Sequence, residues 1–114
     1  EFQAIPRISA FFDDLDTRCG VSTVYHNTNL PGRYVVTYDR VQHYSCNGQF
    51  NTMQIQLFQD GKIVIAYNGI TTLNSGSITG INPGPNTPSL AVDFSTQVNI
   101  NASPNTAIFP SADW

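Results

Sequence analysis

The sequence predicts an all-β fold, a two-sheet antiparallel sandwich, and three observations carry that expectation. Apolar and polar residues alternate at period two through most of the chain. No window carries the apolar stripe at 3.6-residue spacing that a surface helix buries. Between the alternating runs stand pairs with fixed turn preferences, Pro31-Gly32 and Asp60-Gly61 among them. Short strands joined in this way favour a sandwich over a barrel. With 114 residues and no internal repeat or composition break, one domain is expected.

The elements follow in order. A first strand is expected over 8–12, ending at a turn that carries Asp13, Asp14, Asp16 and Cys19, and a second over 21–26. Pro31 presets the first φ of a type II turn and Gly32 accepts the positive second one, so a strand over 33–41 begins there. In the run 52–59, Met53, Ile55 and Leu57 alternate with Gln54 and Gln56. In 62–70, Ile63, Ile65 and Tyr67 alternate with Val64 and Ala66. Asp60-Gly61 between them predicts a two-residue type I′ hairpin at the centre of the sheet. Shorter strands are expected over 77–81 and 90–94, across the loop Asn82-Pro83-Gly84-Pro85-Asn86, with an edge strand or tail after Ser95.

Composition excludes several classes. Charged residues are 11% of the chain, against roughly 25% in an average soluble domain. Asn, Thr, Ser and Gly make up about a third of the chain in their place. Five Lys+Arg, none adjacent, against eight Asp+Glu leave no electrostatic footprint for nucleic acid. No apolar run approaches the roughly 18 residues of a spanning helix, so membrane insertion is not expected.

Cys19 and Cys46 sit in turn-like surroundings, where a disulfide is favoured over two free thiols, which prefer burial among apolar side chains. A bridge would imply an oxidising, extracytoplasmic setting. No signal peptide, lipidation motif or retention tail is evident, so the chain reads as a mature fragment or an excised module, secreted or at the cell surface. Asn101-Ala102-Ser103 matches the three-residue glycosylation sequon.

Three groups of residues are candidates for chemistry. Asp13, Asp14 and Asp16 form the densest acidic cluster. On strand alternation Asp14 and Asp16 share a face, and with carbonyls or Asn oxygens the group is a candidate calcium site. The simpler use is that one Asp caps turn amides and another pairs with Arg18 or Arg40. His26 and His43 are the only imidazoles, and no Gly-x-Ser-x-Gly elbow accompanies them, so solvent-facing or turn-bonding roles are expected. The third group is a sugar platform: His43, Tyr44, Tyr38, Gln54 and Gln56, with Trp114, offer rings for pyranose faces and amides for hydroxyls. No catalytic constellation is legible, so binding rather than catalysis is expected.

Ile8-Ser9-Ala10-Phe11-Phe12-Asp13-Asp14-Leu15-Asp16, a strand running into an acidic turn and followed by Val24-Tyr25, resembles the opening of the extracellular NIDO (nidogen-like) domain, the first of an ordered set of such motifs. Val35-Val36-Thr37-Tyr38-Asp39-Arg40-Val41 resembles its Val-Thr-Trp-x-x-Val strand, and Asn51-Thr52-Met53-Gln54 its Asn-Thr-Phe-Gln hairpin. Ile78-Thr79-Gly80-Ile81 and Asp93-Phe94-Ser95 resemble the ending of bacterial relatives. Tyr38 replaces the usual Trp, Met53 the usual Phe, and both cysteines lie outside the pattern. The resemblance implies a non-catalytic adhesion module of a larger secreted or surface protein, with a protein or glycan partner. The alternative is a carbohydrate-binding module appended to a polysaccharide-active enzyme.

Overall fold

The computed structural model describes residues 5–71 and 78–85, and the backbone of 105–109. The strands are β1 (Arg7–Phe12), β2 (Leu15–Asp16), β3 (Thr23–Asn27), β4 (Arg33–His43), β5 (Phe50–Phe58), β6 (Ile63–Ile70), β7 (Ile78–Asn82) and β8 (Asn105–Phe109). A six-stranded antiparallel sheet runs β2-β4-β5-β6-β8, with β3 also paired to β4, and a two-stranded sheet, β1-β7, forms the second layer. The all-β expectation holds. Among the described residues no helix is long and apolar enough to cross a membrane.

Register explains the core. Tyr38, Met53 and Tyr67 stand in one row across β4-β5-β6, and Val36, Ile55 and Ile65 in the next. Because alternate residues share a face, the apolar half of each strand points one way. Met53, Ile55, Ile63, Ile65 and Tyr67 pack there against Ala10 and Phe11 of β1 and Ile81 of β7. Ser9, Ala10 and Phe11 are all buried, which simple alternation forbids; a register shift between Ser9 and Phe12 permits it. The Ala10 carbonyl at that shift accepts from the Tyr67 hydroxyl at 2.7 Å and the Thr79 hydroxyl at 3.0 Å, which joins the two layers. Burial raises the Tyr67 phenol to about 12, while its hydrogen bond to Thr79 opposes the rise.

Two further irregularities shape the large sheet. β4 shifts register between Tyr38 and Val41, where Arg40 takes a φ of 50° and donates its N–H to the Thr52 hydroxyl at 3.1 Å. β5 shifts between Asn51 and Met53. Fully buried Asn51 sits at that join, donating to the Val41 carbonyl at 3.2 Å and accepting from the Thr71 N–H at 3.0 Å. Both backbone groups are thus satisfied away from water.

The structure corrects three local expectations. The 58–62 hairpin is not type I′: Gly61 has a φ of 88°, but Asp60 is not among the residues with positive φ. Gly61 N–H bonds the Phe58 carbonyl at 3.0 Å and Phe58 N–H bonds the Lys62 carbonyl at 2.9 Å, the pattern of a type I turn followed by a left-handed glycine bulge. Within this turn the Asp60 carboxylate accepts from the Lys62 N–H at 3.0 Å. Second, the acidic turn contains a short strand, β2, paired with Gln42 and His43. Third, β3 spans Thr23–Asn27, where 21–26 was expected, because Ser22 N–H bonds back to the Cys19 carbonyl at 3.2 Å and keeps that residue in the turn. The expected strand at 90–94, the sequon at 101–103 and Trp114 lie outside the described residues.

Candidate functional site

Two regions of the large sheet present side chains that the core does not use. The first is β3. It pairs with β4 on one side, and every one of its residues is exposed. Val24 and His26 lie on the core-side face and Tyr25 on the opposite one. The His26 ring stacks on Tyr34 of β4 with centroids 5.7 Å apart. Val24, Tyr25 and Tyr34 all expose large apolar area. The segment contains no charged residue and no proline, the usual guards of a sheet edge.

The second region is built on the disulfide. Cys19 and Cys46 are bonded, 27 residues apart in sequence. Gln42, buried on β4, clasps the two loops they join: its amide donates to the Cys19 carbonyl at 3.1 Å, and its carbonyl accepts from the Gly48 N–H at 2.7 Å. The Ser22 hydroxyl lies 2.8 Å from the Cys19 carbonyl and 3.0 Å from that of Arg40. Cys46 N–H closes a turn on the His43 carbonyl at 3.2 Å, with Ser45 at a φ of 83° and Cys46 at 55°. Two successive left-handed residues without glycine persist only where surrounding structure holds them.

On this base lies a shallow depression of about 420 Å³ lined by Asp16, Arg18, Tyr44, Ser45 and Cys46. Arg18 curls back onto Asp16 through Nε at 2.9 Å to Oδ1 and Nη2 at 2.6 Å to Oδ2, and its backbone N–H reaches Oδ1 at 2.8 Å. The Asp16 side chain is 10% exposed and that of Arg18 is 79% exposed. Hydrogen bonds from the Arg18 side chain, then from its backbone N–H, hold the Asp16 carboxyl at about 2.

The residues singled out in the sequence are distributed differently from either site imagined for them. Asp13 and Asp16, not Asp14 and Asp16, are the inward carboxylates. Asp13 accepts from the Asp14 N–H at 2.8 Å and lies 3.7 Å from His43 Nε2, while Asp14 is exposed. Strand alternation fails here because Leu15 N–H bonds the Asp13 carbonyl at 3.0 Å and turns the chain. The three carboxylates do not converge. The one grouping of three ligand-type side chains among the described residues is Asp16, Cys19 and Cys46, whose sulfurs are already bonded to each other. A disulfide offers no thiolate for a metal.

The sugar-platform residues divide among three places. Tyr38 is on the core face, lining a cleft of about 130 Å³ beside β1. Gln54 and Gln56 are on the opposite face, because Thr37 and not Tyr38 is the register partner of Gln54. There a chain of donors runs from Arg33 to Gln56 at 3.2 Å, Gln56 to Gln54 at 2.6 Å, and Gln54 to the Thr37 hydroxyl at 2.9 Å. Tyr44 and His43 are at the end of β4, and only Tyr44 lines the depression. From the sequence Arg18 is only a candidate partner for an Asp; the Asp-x-Arg-Cys spacing, immediately before the first half-cystine, was the available signal. No protein-family model, curated protein or solved structure matches the chain.

Proposed function

We propose that this chain is a non-catalytic binding module of a secreted or cell-surface protein, and that it holds a protein partner by strand addition at β3. The disulfide supports an extracytoplasmic setting, since such bonds persist where thiols are not kept reduced. The NIDO resemblance points to the same class. The observation that carries the reading is the β3 edge, which among the described residues pairs only with β4: five exposed residues with no charge and no proline, Val24, Tyr25 and the Tyr34-stacked His26 among them. A sheet edge offers unpaired N–H and C=O groups for main-chain bonds, and alternate side chains on its two faces give specificity.

The test compares the wild-type domain with a Val24→Lys/Tyr25→Lys variant, both immobilised and exposed to extracellular proteins of the source. A partner retained by the wild type and lost by the variant supports the reading. Equal retention by the two, or no retention by either, contradicts it.

A further inference from the structure

We propose that the depression between Arg18 and Tyr44 is a subsite for a saccharide bearing a carboxylate, that is, a uronic-acid unit of a glycan. This site is separate from the β3 edge and does not depend on it. Asp16 occupies the Nε/Nη2 side of the Arg18 guanidinium. The opposite edge, Nη1 with the second N–H of Nη2, stays in solvent on a side chain that is 79% exposed. A guanidinium fork recognises a carboxylate by two parallel N–H bonds, and the Asp16 clasp fixes its plane before any ligand arrives. Pre-fixing lowers the ordering cost that a free surface arginine would incur on binding.

The remaining lining suits a sugar ring. Tyr44 is 53% exposed, so its ring is open to the C–H face of a pyranose, and the Ser45 hydroxyl beside it can donate to or accept from a ring substituent. The left-handed pair Ser45–Cys46, held by the disulfide and by the Gly48–Gln42 bond, is the device that sets Tyr44 at the rim. At about 420 Å³ the depression falls within the roughly 300–1,000 Å³ of small-molecule sites.

A peptide fits this place less well. Several amides at and around it are already used: Arg18 N–H on the Asp16 carboxylate, Tyr44 N–H on the Asp14 carbonyl at 2.7 Å and Cys46 N–H on the His43 carbonyl. What lines the depression is the Arg18 guanidinium with its Asp16 partner, the Tyr44 ring, the Ser45 hydroxyl and Cys46.

The experiment is a titration of the isotope-labelled, oxidised chain, followed by amide shifts, with three probes: oligogalacturonate, its methyl ester and acetate. Saturable shifts at Arg18, Tyr44 and Ser45 with oligogalacturonate, at least tenfold weaker with the ester and with acetate, are expected. Tyr44→Ala is expected to weaken binding tenfold or more. Arg18→Lys, which keeps the charge and loses the fork, is expected to do the same while retaining the wild-type spectrum elsewhere. Val24→Lys/Tyr25→Lys is expected to bind oligogalacturonate as the wild type does, which separates this site from the β3 reading. No shifts at 10-fold excess over about 1 mM protein, equal affinity for the ester, or equal affinity for acetate would overturn the proposal.

Discussion

Replacing both cysteines, Cys19→Ser with Cys46→Ser, opens a loop closed across 27 residues. In the chain-entropy model a loop of that length restricts the unfolded ensemble by about 12 cal/mol/K, or roughly 3.5 kcal/mol at 25 °C. The folded side changes little, because Gln42 still bridges the Cys19 carbonyl and the Gly48 N–H, and Arg18 still holds Asp16. The loss therefore falls mainly on the unfolded state. Urea unfolding followed by far-UV circular dichroism reads it directly. With a slope near 1.5 kcal/mol/M, the midpoint drops by about 2 M, and the melting temperature by about 15 °C. Wild-type protein treated with reductant should reproduce the variant. A loss below about 1 kcal/mol would refute the reasoning, since it would mean that the other contacts already confine this loop when the chain is unfolded.

Other outcomes follow from the same contacts. Ile65→Ala, at a fully buried position between the layers, should cost about 2–5 kcal/mol in the same unfolding assay. Asn51→Ala leaves the Thr71 N–H without its acceptor and the Val41 carbonyl without its side-chain donor, and should cost about 1–3 kcal/mol. Carbon-detected titration should place the Asp16 midpoint near 2, below its ordinary 3.8, and Arg18→Gln should move it back up. Because the folded value is depressed, this stabilisation is fully present above 3.8 and is lost as pH falls through about 2. Tyr67 behaves oppositely: its folded value of about 12 lies above the ordinary 10, so its contribution is complete below pH 10 and disappears as pH rises through about 12. Tyr67→Phe should abolish the late ultraviolet titration step and cost roughly 1 kcal/mol for the lost bond to Ala10.

The sheet was legible in the sequence because period-two alternation is a local property with a global consequence. Met53, Ile55, Ile63, Ile65 and Tyr67 all fall on the face their spacing assigns. What stayed hidden were departures from that period. The bulge that buries Ala10 and Phe11 together depends on a carbonyl held by Tyr67 and Thr79, residues 57 and 69 positions away. Asp60-Gly61 suits both a two-residue loop and a type I turn with a glycine bulge, and the bonds that distinguish them, Gly61 N–H to the Phe58 carbonyl and Phe58 N–H to the Lys62 carbonyl, are not specified by the dipeptide. At the candidate site, the disulfide was inferable from the surroundings of Cys19 and Cys46. The separation of Tyr38 from Gln54 followed from cross-strand register, which no single strand reveals. The role proposed for Arg18 is not legible in the sequence, because it depends on which edge of the guanidinium Asp16 occupies, a fact of geometry alone.

Amide hydrogen exchange of the domain, alone and with the partner retained by the wild-type column, tests the central claim most directly. In the free domain the solvent-facing amides of β3 should exchange rapidly while those of β5 and β6 are protected, as expected for an open edge beside a paired interior. With partner bound, new protection should appear at alternate residues of Thr23–Asn27 and leave β5 and β6 unchanged. Unaltered exchange along β3 in the complex would contradict binding by strand addition.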